Sequence, residues 1–145
     1  MKTVILFLFI FMSKSLFAQI PADELAKKKT FTVWLQARAH VKDVYKLDVS
    51  NSAIFELSKD IKKMKNLHKL WLENNDLTTL PEELCSLKNL QMLHLQGNDL
   101  TKLPQNFGNL KALQELNLTG NPLPESEINR VQQALPNCKI IFKTQ

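Results

Sequence analysis

Apolar and polar positions recur in a fixed rhythm through most of this chain. Val44, Leu67, Leu90 and Leu113 open four successive segments 23 residues apart, and Leu47, Leu70, Leu93 and Leu116 follow each opening by three. Within each segment apolar residues then alternate with polar ones, as at Lys69-Leu70-Trp71-Leu72-Glu73. A period of two marks a short strand with one buried face, so Leu70 and Leu72 point inward while Lys69, Trp71 and Glu73 point outward. No segment can bury its leucines alone. Stacked in parallel at about 4.8 Å, the strands bury them against one another.

The stretch after each strand supports the same register. Asn51, Asn74, Gly97 and Gly120 fall at equivalent positions, and Asn and Gly tolerate the left-handed backbone that a tight corner requires. Further on, Leu84 and Leu87, or Phe107 and Leu110, are spaced by three. That spacing predicts short helical turns within Pro81 to Asn89 and Pro104 to Lys111. The last segment departs from the rhythm. Ser126 is placed to cap a helix running to about Leu135, with Ile128, Val131 and Leu135 on one face. Pro136 ends it, and Lys139 to Phe142 form a final edge strand. At the front, Phe31 to Val41 carries Val33, Trp34, Ala37 and Val41 at helical spacing and serves as the other seal, because terminal repeats must close the core against water.

Written out, the segments are VYKLDVSNSAIFEL, LHKLWLENNDLTTLP, LQMLHLQGNDLTKLP and LQELNLTGNPLP. They fit L-x-x-L-x-L-x-x-N-x-L with modest substitutions, a pattern that resembles the leucine-rich repeat family. Leu80-Pro81 through Leu87 and Leu103-Pro104 through Leu110 resemble its LPxxL-type subclass with 23-residue repeats. The resemblance covers about Val44 to Phe142. It implies an α/β solenoid: a curved parallel β-sheet on the concave face, short helical or irregular returns on the convex face, and helical caps at both ends. It also implies that Asn75, Asn98 and Asn121 form a side-chain ladder satisfying backbone groups at the corners, with Ser52 a weaker rung. Function needs a separate argument, since one fold hosts unrelated tasks.

The beginning of the chain reads differently. Met1-Lys2 are basic at the start, Val4 to Met12 are uninterruptedly apolar, and Ser13 to Gln19 turn small and polar. This is the layout of a secretory signal, and nine apolar residues are too few for a membrane span of about 20. The expected organisation is a signal peptide at 1–18, a capping segment at 19–43, the repeat domain at 44–142 and a tail at 143–145. Secretion, or residence in the periplasm or cell envelope, follows, with no stable membrane span after processing. An uncleaved anchor is the alternative.

The full chain carries 19 Lys and Arg against 14 Asp and Glu, a formal charge of +5. Without Lys2 and Lys14 the balance is 17 against 14, near +3, which is an ordinary surface. The lysines at 27–29 and at 59, 62, 63 and 65 read as solvated faces, so no nucleic-acid partner is expected. Weak attraction to an anionic polymer is the most that this charge supports. Cys138 is assigned to a core rung and Cys85 to the return side of another repeat, too far apart for a bridge whose Cα atoms must lie within about 7 Å. Buried free thiols are expected.

Reading outward positions down the strands gives three columns. They are Lys46, Lys69, Met92, Glu115 and Asn137; Asp48, Trp71, His94, Asn117 and Lys139; and Ser50, Glu73, Gln96, Thr119 and Ile141. An outward Trp71 beside His94 and Met92 has the composition of a binding centre. The candidate protein-binding residues are therefore Lys46, Asp48, Lys69, Trp71, Glu73, Met92, His94, Gln96, Glu115 and Asn117. Packing of Trp71 along the stems of Lys46 and Lys69 is the structural alternative. Fifteen outward positions fall short of the roughly 20 to 30 residues a side of a standard interface, which favours a peptide or a small patch.

Catalysis finds no support, since no nucleophile elbow, phosphate loop or His-Glu zinc motif is present. No catalytic residue, metal or cofactor is assigned, and a Glu73–His94 contact reads as a surface pair. A protein or peptide ligand is the leading partner, and weak self-association through an edge strand or the concave face is the alternative. A sequon at Asn117-Leu118-Thr119 would place any glycan on the proposed face.

Overall fold

Six short strands lie side by side in chain order: β1 Thr30–Phe31, β2 Lys46–Asp48, β3 Lys69–Trp71, β4 Met92–His94, β5 Glu115–Asn117 and β6 Lys139–Ile141. Every pairing is parallel. This computed structural model describes residues 20–143. The signal expected at 1–18 and the last two tail residues lie outside the described residues.

The alternation explains the register. Leu47, Leu70, Leu93 and Leu116 pair as one row across β2 to β5, and all four are fully buried. A second buried row, Val49, Leu72, Leu95 and Leu118, lies just beyond the strands. Each buried leucine contributes about 1.5–3 kcal/mol of transfer free energy. On the convex side, 3₁₀ turns at Lys59–Lys63, Glu82–Ser86 and Phe107–Asn109 bring Ile61, Leu84 and Phe107 into a third buried row.

The corners behave as the Asn and Gly positions predict. Asn51, Asn74, Gly97 and Gly120 have φ of 53°, 51°, 66° and 72°. Behind them the buried Asn98 donates from Nδ2 to the carbonyls of Leu72 and Leu95, and its Oδ1 accepts from the Leu77 amide. Asn121 repeats the arrangement with Leu95, Leu118 and Leu100. Neighbouring rungs share acceptors: the Leu72 carbonyl also accepts from Asn75 and the Leu95 carbonyl from both Asn98 and Asn121, so the backbone groups left where the chain leaves the sheet are satisfied. Ser52 is too short to span the corner; its hydroxyl reaches only the Ser50 carbonyl at 3.1 Å. Asn75 compensates by accepting from both Ser52 and Ile54 amides.

Both ends depart from expectation. The front seal is not a helix over Phe31 to Val41 but β1 followed by the helix Trp34–Ala39. Thr30 and Phe31 pair with Lys46 and Leu47, because the open edge of β2 presents backbone groups that a strand satisfies and a helix cannot. Val33 consequently turns out to solvent at 47% exposure, while Ala37 is buried and Trp34 and Val41 pack partly buried on the core.

At the other end the helix spans Glu125–Ala134, with Pro124 at its N-cap and no side-chain cap. Ser126 lies inside the first turn, exposed, rather than capping it. The proline ring holds φ at −70° and suits a helix start, so the helix begins two residues earlier than a serine cap predicts. Ile128, Val131 and Leu135 are buried as expected.

The last strand is displaced by two residues from the expected columns. Lys139 pairs with Glu115, Ile140 with Leu116 and Ile141 with Asn117, so Asn137 leaves the sheet face. The cause is the final return: a ten-residue α-helix replaces the short 3₁₀ turn, and the Cys138 amide still bonds back to the Leu135 carbonyl before β6 begins. A shift of two preserves which face each side chain occupies. Cys138 therefore precedes the strand and is half-buried, and Ile140 takes the core rung assigned to it. Cys85 is buried, and both cysteines are free.

Candidate functional site

Outward side chains of β3, β4 and β5 meet at the middle of the concave face. The Trp71 and His94 rings stand perpendicular with centroids 6.5 Å apart. They are brought together by the direct pairing of β3 with β4, which sets Trp71 opposite His94. His94 is held from both sides. Its Nδ1 lies 2.9 Å from Glu73 Oε1 and its Nε2 2.9 Å from Glu115 Oε1. Carboxylates only accept, so both contacts are hydrogen bonds when the ring carries both protons. Glu115 also approaches Lys139 Nζ at 3.6 Å. The hydrogen bond from His94, with Lys139 adding to it, holds the Glu115 carboxyl below the usual glutamate range.

The remaining candidates divide into three groups. Asp48 and Asn117 are occupied locally, each accepting through Oδ1 from an amide two residues on, that of Ser50 and that of Thr119. Gln96 has a buried Oε1 with no hydrogen-bond partner among the described residues. Lys46, Lys69 and Met92 line the other margin, alongside the helix α1, Ala22–Lys27. Lys46 Nζ donates to the Ala26 carbonyl at 3.3 Å. Lys69, Met92 and Glu115 share an open cavity of about 500 Å³ with Ile20, Pro21 and Leu25.

The other histidines are elsewhere. His68 is buried at the start of β3 with Nδ1 2.6 Å from the Asn66 carbonyl, and its ring lies 6.0 Å from that of Tyr45. His40 sits in the front cap, 6.0 Å from the Phe31 ring. Among the described residues, no three or more His, Cys, Asp and Glu side chains converge to hold a metal ion. Nor is any described helix long and apolar enough to cross a membrane.

A family model described as a leucine-rich repeat region matches residues 39–136. The chain belongs to the leucine-rich repeat family. A solved leucine-rich repeat protein of Leptospira interrogans is 40% identical, with a TM-score of 0.71, over 77% of this chain and 28% of that one. InlP of Listeria monocytogenes is 29% identical, with a TM-score of 0.53, over 69% of this chain and 26% of that protein. This chain thus spans little more than a quarter of the length of either. No curated protein matches it.

Against the outward columns of this leucine-rich repeat sheet, the structure gathers Trp71, Glu73, His94 and Glu115 into one cluster. Two participants escape sequence reasoning. Lys139 joins Glu115 only because of the displaced last strand. α1 lies outside the repeat pattern altogether; its signal is Pro21 followed by Asp23 and Glu24, a proline and acidic first turn that suit a helix start.

Proposed function

We propose that the protein is an exported binding module that recognises a protein or peptide through the concave sheet around Trp71 and His94. Members of this family are typically interaction modules rather than enzymes. The observation that carries the reading is Trp71 itself. It is half-buried on an outward strand position, edge to face with a histidine that two carboxylates hold in place. A partly exposed aromatic on a rigid sheet presents large contact area with little conformational entropy to lose.

The expected binding residues are Lys46, Asp48, Lys69, Trp71, Glu73, Met92, His94, Gln96, Glu115 and Asn117. Export rests on the signal-like residues 1–18. Assignment to the LPxxL-type subclass with 23-residue repeats rests on Leu80-Pro81 and Leu103-Pro104. The test is capture of a partner from an extracellular or envelope extract by the mature protein, beside Trp71→Ala and the convex-side control Lys88→Ala. Loss with Trp71→Ala alone supports the site; unchanged capture by Trp71→Ala overturns it.

A second reading, self-assembly, is favoured by β6, which among the described residues pairs on one side only and carries Ile141 at the sheet edge. An unpaired strand edge is a template for another chain. Light scattering over a range of concentrations tests it, and a monomer throughout removes it.

A further inference from the structure

Leu25 is 3% exposed, as buried as the repeat leucines, yet it lies outside the continuous core that runs from Phe31 to Leu135. It belongs to α1, the six-residue helix Ala22–Lys27, which has no side-chain cap at its start. A helix of two turns does not persist in water by itself. α1 is held instead by what it meets: the Lys46 ammonium on the Ala26 carbonyl at 3.3 Å and Lys28 Nζ 4.9 Å from the Tyr45 ring centroid, with Leu25 lining one open cavity together with Lys69 and Met92. Lys46, Lys69 and Met92 form one outward column of the concave sheet. The chain's own N-terminal segment therefore occupies part of the face that the proposed function assigns to a ligand.

The occupation is partial. An open cavity of about 500 Å³ continues from Ile20, Pro21 and Leu25 to Lys69, Met92 and Glu115. Glu115 is also the residue that clamps His94, so the margin under α1 and the Trp71–His94 centre are contiguous.

We infer that α1 is a displaceable occupant of the concave face, and that the partner is a peptide segment of the same chemistry. That chemistry is one aliphatic side chain seated beside Lys69 and Met92, with a backbone carbonyl presented to Lys46 one residue later. Binding is then an exchange, the partner's anchor entering as Leu25 leaves. The inference rests on the reading that the concave face binds, and it adds what the face selects and what must move.

The test uses the full mature chain and a fluorescein-labelled peptide of residues 20–29 as the probe, followed by fluorescence anisotropy. In the wild type the tethered copy competes at an effective concentration on the order of millimolar. Leu25→Ser releases that copy, so it is expected to bind the peptide at least about tenfold more tightly than the wild type. The same peptide carrying Leu25→Ser is expected to bind neither protein. Hydrogen exchange supplies the fold control: amides of Leu25 and Lys28 lose protection in Leu25→Ser, while those of Leu70 and Leu93 keep it. Equal peptide affinity for both proteins, or no binding to a folded Leu25→Ser, overturns the inference. Either result leaves the Trp71→Ala capture test intact, so the two readings fail separately.

Discussion

Glu115 on β5 accepts from His94 Nε2 at 2.9 Å, although the two are not directly paired across β4 and β5; Met92 is the partner of Glu115 and Asn117 that of His94. The diagonal contact joins two columns of the concave face. It also depresses the Glu115 carboxyl, chiefly through the His94 hydrogen bond and then through Lys139. A carboxyl depressed in the folded state stabilises it above the unfolded value near about 4.3, and that contribution is lost as pH falls through the folded value. Thermal unfolding followed from pH 7 down to pH 2.5 is expected to show a shallower acid loss in Glu115→Gln than in the wild type. An identical acid limb would show that the pair adds nothing to stability.

Asn98→Ala removes a side chain that serves three backbone groups at one buried corner, the Leu77 amide and the Leu72 and Leu95 carbonyls. The two carbonyls keep Asn75 and Asn121 as donors, but the Leu77 amide is left buried and unpaired, at a cost of about 1–3 kcal/mol. Urea unfolding should show a lower midpoint with an unchanged slope. Ser52→Ala, which loses only an exposed hydroxyl bond, should shift the midpoint by a small fraction of that. Equal effects at the two positions would contradict the ladder as the source of corner stability.

Gly97 tests the corner itself. Its φ is +66°, and a Cβ there would lie 2.5 Å from Asn74 Oδ1. Gly97→Ala is expected to cost about 1–3 kcal/mol from the left-handed backbone, together with displacement of the Asn74 amide. The same urea measurement checks it, and a neutral substitution would mean that the corner relaxes freely.

Burial pushes the Cys85 and Cys138 thiols up to about 11 each. Both should react slowly with Ellman's reagent at pH 8 until the protein unfolds, because the thiolate is the nucleophile. Raised thiol values stabilise the folded state below the ordinary value near about 8.5. That contribution is lost as pH rises towards 11, so stability should decline over that alkaline range in the wild type and less so in Cys85→Ala, whose truncation lowers the starting level. Rapid labelling of Cys85 in the native protein would contradict its burial.

The repeat core was legible because its physics is local and periodic. Period-two alternation at Leu70 and Leu72, a left-handed-tolerant residue at Asn74, and an asparagine at Asn75 each state a backbone requirement one residue at a time. Trp71 beside His94 follows from the same register. The ends were not legible, since each answers to a surface made by another part of the chain. Phe31 joins a strand because β2 offers it an edge, Ser126 yields its cap to Pro124, and Lys139 reaches Glu115 only after the last helix consumes extra residues.

The amino-acid sequence thus determined the stacked strands, the inward leucines, the corners with their asparagines, and which side chains face the concave side, because each is encoded by spacing within a repeat. Only the tertiary structure decided that Glu115 holds His94 from the side opposite Glu73, that Lys139 completes the cluster, and that α1 lies at the Lys46 to Met92 margin. Those contacts cross between columns or reach segments outside the repeat, and their geometry exists only once the curved sheet brings distant segments to one surface.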